Sequence, residues 1–187
     1  MAIQPKLALL CVLDNIYKSI DSLQLTTFVY LDISAAFDTI SHSTLLQRLC
    51  EEFGVVGMFL DWLRSYLSNH SYYVKLGRHS SPTVICTSGV SQGSVLGPIL
   101  FAAYISPLSR VISSHGVGHH QYADDTQLFL AMRASTMQAD LLKLEACTCD
   151  VKSWFAENDL LLNADKSDDR HILSTTLGGN LQHHDNR

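Results

Sequence analysis

The sequence lacks an apolar run approaching the ~18 residues that a membrane-spanning helix requires, and it has little positive charge. Only 13 of its 187 residues are lysine or arginine, against 18 aspartate or glutamate, so the formal net charge is −5. The first absence predicts a chain without transmembrane segments; no small-residue cleavage pattern follows the short apolar stretch Leu7–Leu13, so a signal peptide is not expected either, and the chain is expected in the cytoplasm or nucleus. The second argues against indiscriminate nucleic-acid binding, which usually leaves a basic footprint, but it leaves room for a local basic groove.

The sequence also lacks a cysteine framework. Its five cysteines stand at positions 11, 50, 86, 147 and 149. The number is odd and the spacing fits neither a zinc site nor a disulfide scaffold. Reduced thiols in an intracellular compartment are therefore expected.

The hydrophobic periodicity predicts one α+β domain. Strand-like segments that include hairpins alternate with helices, which favours an antiparallel sheet with helices packed on one face. The predicted helices cover residues 5–22, 41–54 (with Ser41 or Ser43 as N-cap), 55–69, 99–112 (interrupted or bent near Pro107) and 135–157. The predicted strands are Thr26–Ile33, two within residues 72–87 and two flanking Asp124, and residues 158–163 are predicted to form a short strand or a turn.

Three aspartates are the main candidates for chemistry. Asp32 ends a strand, and Asp124 and Asp125 lie at the turn of the predicted hairpin. If these strands are neighbours in one sheet, the three carboxylates converge at one edge and provide the hard oxygen ligands that Mg²⁺ takes. The alternative is that they are ordinary turn aspartates, because such residues are common at hairpin tips.

Three motifs occur in order along the chain: LDISAAFD (Leu31–Asp38), SGVSQGSVLGPILF (Ser88–Phe101) and YADD (Tyr122–Asp125). In this order and spacing they resemble the palm motifs of reverse transcriptases, in particular those of non-LTR (LINE-like) retrotransposons. The connecting segments are similar as well, so that the resemblance covers roughly residues 6–167. It implies a polymerase palm-like fold and RNA-directed DNA polymerase activity. The implied partners are an RNA template, a DNA primer and deoxynucleoside triphosphates. The implied cofactors are two Mg²⁺ ions, which Mn²⁺ could replace.

The resemblance assigns metal binding to three side chains and one backbone group. It implies that Asp32 and Asp124 bind the catalytic metals, that Asp125 completes the carboxylate set, and that the carbonyl of Ile33 is a possible further ligand. Those residues would catalyse nucleotidyl transfer onto the primer 3′-hydroxyl.

The resemblance also implies roles in nucleotide binding. Phe37 matches a steric gate against the ribose 2′-hydroxyl, Gln92 and Gly93 match a loop on the incoming nucleotide, and Tyr122 matches a residue under the primer end. Lys166 matches a lysine that assists the leaving pyrophosphate. The structural alternatives are a core phenylalanine, a helix-entry turn, a strand core residue and a solvated charge, respectively.

The chain departs from the family pattern in several places. The basic fingers strands and the thumb have no counterpart, which predicts a palm-centred fragment with residues 1–167 as partial fingers plus palm and residues 168–187 as a divergent, flexible tail. Ser91 replaces a common proline and His70 a common arginine. The alternative function is a catalytically inactive remnant that acts, if at all, as a binding protein. The polymerase would be active only with the missing parts supplied from elsewhere, and the absence of fingers would expose apolar palm surface, so self-association is expected.

Overall fold

The computed structural model describes residues 24–91, 93–163 and 170–173, together with residues 10, 13, 14, 17 and 18. The described chain divides into two compact units, whereas the sequence was interpreted as one domain. The sheet unit takes its described residues from 1–34, 107–157 and 161–187, and the helical unit from 35–106 and 158–160. No helix among the described residues is long and apolar enough to cross a membrane.

The helices with defined bounds are α1 (His42–Glu51), α2 (Gly57–Leu67), α3 (Gly97–Ile105), α4 (Leu108–Ser114) and α5 (Met137–Glu157). The strands are β1 (Leu25–Leu31), β2 (Ile33–Ser34), β3 (Ser71–Tyr72), β4 (Lys75–Leu76), β5 (His79–Ser80), β6 (Val84–Ile85), β7 (Gly118–Tyr122), β8 (Asp125–Met132), β9 (Leu161–Leu162) and β10 (Arg170–Leu173).

The sheet unit is built on a four-stranded antiparallel sheet in the order β10-β1-β8-β7. Helix α5 packs against β8, β9 and α4. One stripe of α5 is buried, and its members recur every three or four residues, as expected for an amphipathic helix over a core: Leu144, Cys147, Val151 and Phe155. Burial raises the pKa of the Cys147 thiol to about 11. The predicted α+β class, an antiparallel sheet with helices packed on it, is confirmed.

Strand β10 lies beyond residue 167, the predicted end of the domain. Its backbone pairs antiparallel with β1, with Val29 opposite Arg170. Four residues are too few for an alternating pattern to stand out, and β10 pairs with a strand far earlier in the chain, from Val29 opposite Arg170 to Thr26 opposite Leu173. The sheet therefore continues into the segment that was predicted to be a tail.

The helical unit is organised around α1. Its N-cap is Ser41, one of the two residues predicted for this role, and the Ser41 hydroxyl accepts a hydrogen bond from the Thr44 amide at 3.5 Å. The Arg48 guanidinium donates to the Tyr104 carbonyl and to the Asn158 side chain, and lies 4.6 Å from the Tyr104 ring centroid. The Tyr104 hydroxyl donates to the Asn158 carbonyl at 2.9 Å. Three sequence-distant segments are thereby joined.

Residues 71–85 form two nested ribbons where the sequence predicted two strands. Strand β4 pairs with β5 across a turn at Gly77 and Arg78, and β3 pairs with β6 outside them. All four strands are exposed. Helix α2 exposes Phe59 and Trp62, at 58% and 50%, and their rings stack with centroids 5.8 Å apart. Self-association through such surface stays a prediction.

Gly89 is the glycine whose replacement we expect to be most costly in the helical unit. Its φ is +86°, and a Cβ atom there would lie 2.9 Å from the backbone oxygen of Asp38. The loop cannot move away freely, because the Gly89 amide donates to the Ile40 carbonyl at 2.8 Å and its carbonyl lies 2.7 Å from the His42 ring. Gly89→Ala should lower the free energy of unfolding by about 2–3 kcal/mol, measured by urea denaturation.

Gly77→Ala is the matched control for that variant. Gly77 also has a left-handed φ of +61°, but nothing lies within 4 Å of an added Cβ. It should therefore show only the backbone cost, about 1 kcal/mol. Equal losses for both variants would show that the contact with Asp38 does not matter.

Candidate active site

Strands β1 and β8 bring the predicted aspartates together in the sheet unit. The two strands are adjacent and antiparallel, and Leu31 pairs with Thr126. Continuing this register by one residue places Asp32 opposite Asp125. Residues opposite each other on antiparallel strands have their Cβ atoms about 4.5–5.5 Å apart and point to the same face. The condition for convergence, that the two strands are neighbours in one sheet, is met.

A cavity of about 240 Å³ opens at this position. Its lining consists of the last residues of β1, the residue that follows, and the first residues of β8: Tyr30, Leu31, Asp32, Asp125, Thr126 and Gln127. Asp32 is half-buried and Asp125 is exposed. The cavity thus combines two carboxylates with access from solvent.

The hairpin turn places the remaining YADD residues. Tyr122 pairs with Asp125, so that Ala123 and Asp124 form a two-residue connection between β7 and β8. Ala123 has a φ of +51°, a conformation that a tight hairpin requires but that glycine adopts more readily. Asp124 is half-buried and does not line the cavity, while Tyr122 is 44% exposed.

Asn163 makes two hydrogen bonds to Asp32. It was not singled out from the sequence. Its side-chain amide donates to Asp32 Oδ2 at 3.0 Å, and its backbone amide donates to the Asp32 carbonyl at 2.9 Å. Asn163 directly follows β9, which pairs with β2. The available signal was the short strand or turn predicted for residues 158–163, which ends at this residue, but nothing local showed what it would pair with.

The same pairing fixes the direction of the Ile33 carbonyl. Because the Asn163 amide donates to the Asp32 carbonyl, these two residues form a hydrogen-bonded pair. Hydrogen-bonded and non-hydrogen-bonded pairs alternate along an antiparallel ladder. The next pair, Ile33 with Leu162, is therefore a non-hydrogen-bonded pair, and the Ile33 carbonyl points away from β9.

The predicted nucleotide-binding residues are divided between the units and the undescribed chain. Phe37 and Gly93 belong to the helical unit. The half-buried Phe37 ring packs against Phe101 with centroids 5.2 Å apart. Gly93 has a φ of +79° and open space where a Cβ would lie. Gln92 and Lys166 lie outside the described residues. The roles assigned to these four residues stay predictions.

The cavity in the sheet unit fits a hard divalent cation by the chemistry of its donors. Two carboxylates, Asp32 and Asp125, line it, and carboxylate oxygens are the hard ligands that Mg²⁺ takes. Within the described ranges, no group of three His, Cys, Asp or Glu side chains is arranged to hold a metal ion. Mg²⁺ does not require one, because it is usually held by one or two carboxylates plus waters and substrate phosphates.

An antiparallel sheet that carries carboxylates at the ends of two adjacent strands is a palm-type polymerase architecture. In agreement with this, apo telomerase from Candida tropicalis superposes with a TM-score of 0.61 at 12% identity, over 96% of this chain and 37% of that one. At this identity the likeness concerns the fold alone.

The reverse transcriptase (RNA-dependent DNA polymerase) family matches residues 5–177, and the chain belongs to this family. A probable RNA-directed DNA polymerase from transposon BS of Drosophila melanogaster is 28% identical over 119 residues, covering 61% of this chain and 13% of the relative. A Pol polyprotein from the type-1 retrotransposable element R2 of Popillia japonica is 29% identical over 150 residues, covering 74% and 20%. The predicted relation to non-LTR retrotransposon reverse transcriptases is confirmed, and the chain spans no more than a quarter of the length of these relatives.

Proposed function

We propose that this chain is the catalytic palm of an RNA-directed DNA polymerase of a non-LTR retrotransposon, which adds deoxynucleotides to a primer 3′-hydroxyl on an RNA template. The observation that carries the proposal is the cavity lined by Asp32 and Asp125 in a chain of the reverse transcriptase family. Members of this family generally use divalent metal ions. We propose Mg²⁺, two ions per site, with Mn²⁺ as a substitute.

The carboxylates of Asp32, Asp124 and Asp125 are the proposed ligands, and the Ile33 carbonyl, which points away from β9, is a further one. When bound, a pair of divalent cations stabilises both the attacking and the leaving oxygen of a phosphoryl transfer. The protein side chains then mainly position the substrates and balance charge. This is why acidic residues, rather than a serine or histidine nucleophile, would form the centre.

The remaining proposed roles concern the nucleotide and the primer. Phe37 would exclude a 2′-hydroxyl, and Gln92 and Gly93 would contact the incoming nucleotide. Open space beside Gly93 supports a close approach of the backbone to a ligand. Tyr122, whose ring is partly exposed at the end of β7, would lie under the primer end, and Lys166 would assist the leaving pyrophosphate.

Primer extension on an RNA template with Mg²⁺ and deoxynucleoside triphosphates tests the proposal, and Asp124→Ala is the diagnostic variant. The rate of primer extension by Asp124→Ala should be at least about a hundredfold below that of the parent chain, because one of the proposed metal ligands is lost. This loss of rate should be smaller than the loss on replacing a ligand that lines the cavity, because Asp124 does not line it.

Asp61→Ala is the matched control. Asp61 lies on α2, 71% of its side chain is exposed, and its partner is the neighbouring Arg64 at 3.2 Å. This variant should extend primers like the parent chain. If neither the parent chain nor the control extends a primer while both are folded, the polymerase proposal fails for this chain and the inactive remnant takes its place.

A further inference from the structure

We infer that Asn163 is a positioning residue for Asp32: its side-chain amide holds the carboxylate in the orientation that binds the metal ion. This inference rests on the proposed function, since it gives Asn163 a role only if Asp32 is a metal ligand. It concerns a residue that none of the recognised motifs contains.

Asn163 contacts Asp32 through two separate groups. The backbone amide donates to the Asp32 carbonyl at 2.9 Å, which fixes the main chain where β1 ends. The side-chain Nδ2 donates to Asp32 Oδ2 at 3.0 Å, which restrains rotation of the carboxylate. Together the two bonds restrain the main chain at Asp32 and the orientation of its carboxylate.

The chemistry of the donor suits a metal site. A lysine or arginine at this distance would hold the carboxylate equally well, but its positive charge would compete with a cation. The neutral amide orients the carboxylate and leaves its negative charge in place. Hydrogen-bond partners of metal ligands act in this way, and removing one typically lowers metal affinity 10- to 100-fold.

A purely structural role for Asn163 would lie in its backbone bond, which holds β9 to β1 and β2. Every substitution other than proline keeps that bond. The proposed positioning role lies in the other bond, from the Asn163 side chain to the Asp32 carboxylate, and a substitution can remove this bond alone. Asn163→Leu does this at similar volume, and Asn163→Ala does it without adding apolar bulk.

The test is the affinity of the full-length chain for Mn²⁺, followed by electron paramagnetic resonance of the free ion. Asn163→Leu and Asn163→Ala should both bind Mn²⁺ about tenfold more weakly than the parent chain. The matched control is Leu161→Ala on β9, two residues before Asn163, where the side chain is 64% exposed, and it should bind like the parent. Thermal unfolding of each variant without metal reports whether it is folded. If only one of the two Asn163 variants is folded, its Mn²⁺ affinity alone decides the test.

The possible results distinguish a failure of the positioning role of Asn163 from a failure of the proposed metal site. If Asp32→Asn loses Mn²⁺ binding while folded Asn163 variants keep the parent affinity, the positioning role is wrong and the proposed metal site stands. If the parent chain does not bind Mn²⁺, or Asp32→Asn binds it like the parent, the metal site itself is wrong and the role of Asn163 falls with it.

Discussion

The Asp32→Asn variant is expected to extend an RNA-templated primer at least about 1000-fold more slowly than the parent chain, which corresponds to several kcal/mol of lost transition-state stabilisation. The substitution removes the charge and almost nothing else. Asparagine has the same size as aspartate, and its side-chain oxygen can still accept the hydrogen bond from Asn163. A loss of this size would therefore be due to the missing negative charge.

Asp38→Asn provides the control within the same motif. Asp38 is exposed and lies in the helical unit, six residues after Asp32, and we expect this variant to keep the parent rate. Single-turnover primer extension at saturating Mg²⁺ measures both. A residual rate of one tenth or more in Asp32→Asn would contradict the role of Asp32 as a metal ligand.

The Phe155→Ala variant is expected to lose about 3–5 kcal/mol of unfolding free energy. Phe155 lies near the C-terminal end of α5 and its side chain is completely buried. Its ring contacts Trp154 edge-on, with centroids 5.9 Å apart. Truncation would remove the transfer free energy of the ring and leave a cavity in a core that can only partly collapse.

Leu142→Ala separates the core effect from a general effect on the helix. Leu142 lies on the same helix with 58% of its surface exposed, so this variant should change stability by no more than about 0.5 kcal/mol. Urea denaturation of both variants measures the difference. Similar losses in the two variants would mean that α5 is stabilised by its own helix propensity rather than by the residues it buries.

Elements with strong local signals were predicted correctly from the sequence. The β-branched and aromatic residues of β1, the Ser41 cap of α1 and the break between α3 and α4 at Pro107 are all present. A tight hairpin turn was also expected, although it was placed at Asp124 and Asp125, whereas Ala123 and Asp124 form it and Asp125 begins β8. In each case the residues that determine the structure lie within a few positions of one another, so that a short stretch of sequence contains the whole signal.

Features that depend on distant partners were not predicted. Strand β10 exists only because β1 offers it an open edge. Asn163 donates a hydrogen bond to Asp32, 131 residues earlier in the chain. Two of the proposed residues, Gln92 and Lys166, lie outside the described chain. The ordered motifs drew attention to Asp32 and Asp125, which line one cavity, but the hydrogen bond from Asn163 to Asp32 could be seen only in the three-dimensional structure.

The pairing of β1 with β8 has a consequence for synthesis on the ribosome. Leu25 pairs with Met132 and Leu31 with Thr126, so β1 emerges long before its neighbour in the sheet. At translation rates of about 5–20 residues per second, β1 waits roughly 5–20 s for β8. During that interval a strand of seven residues, LTTFVYL, has unpaired edges open to other nascent chains. Yield of folded protein should therefore depend on chaperones that cover the nascent chain until β8 has been made.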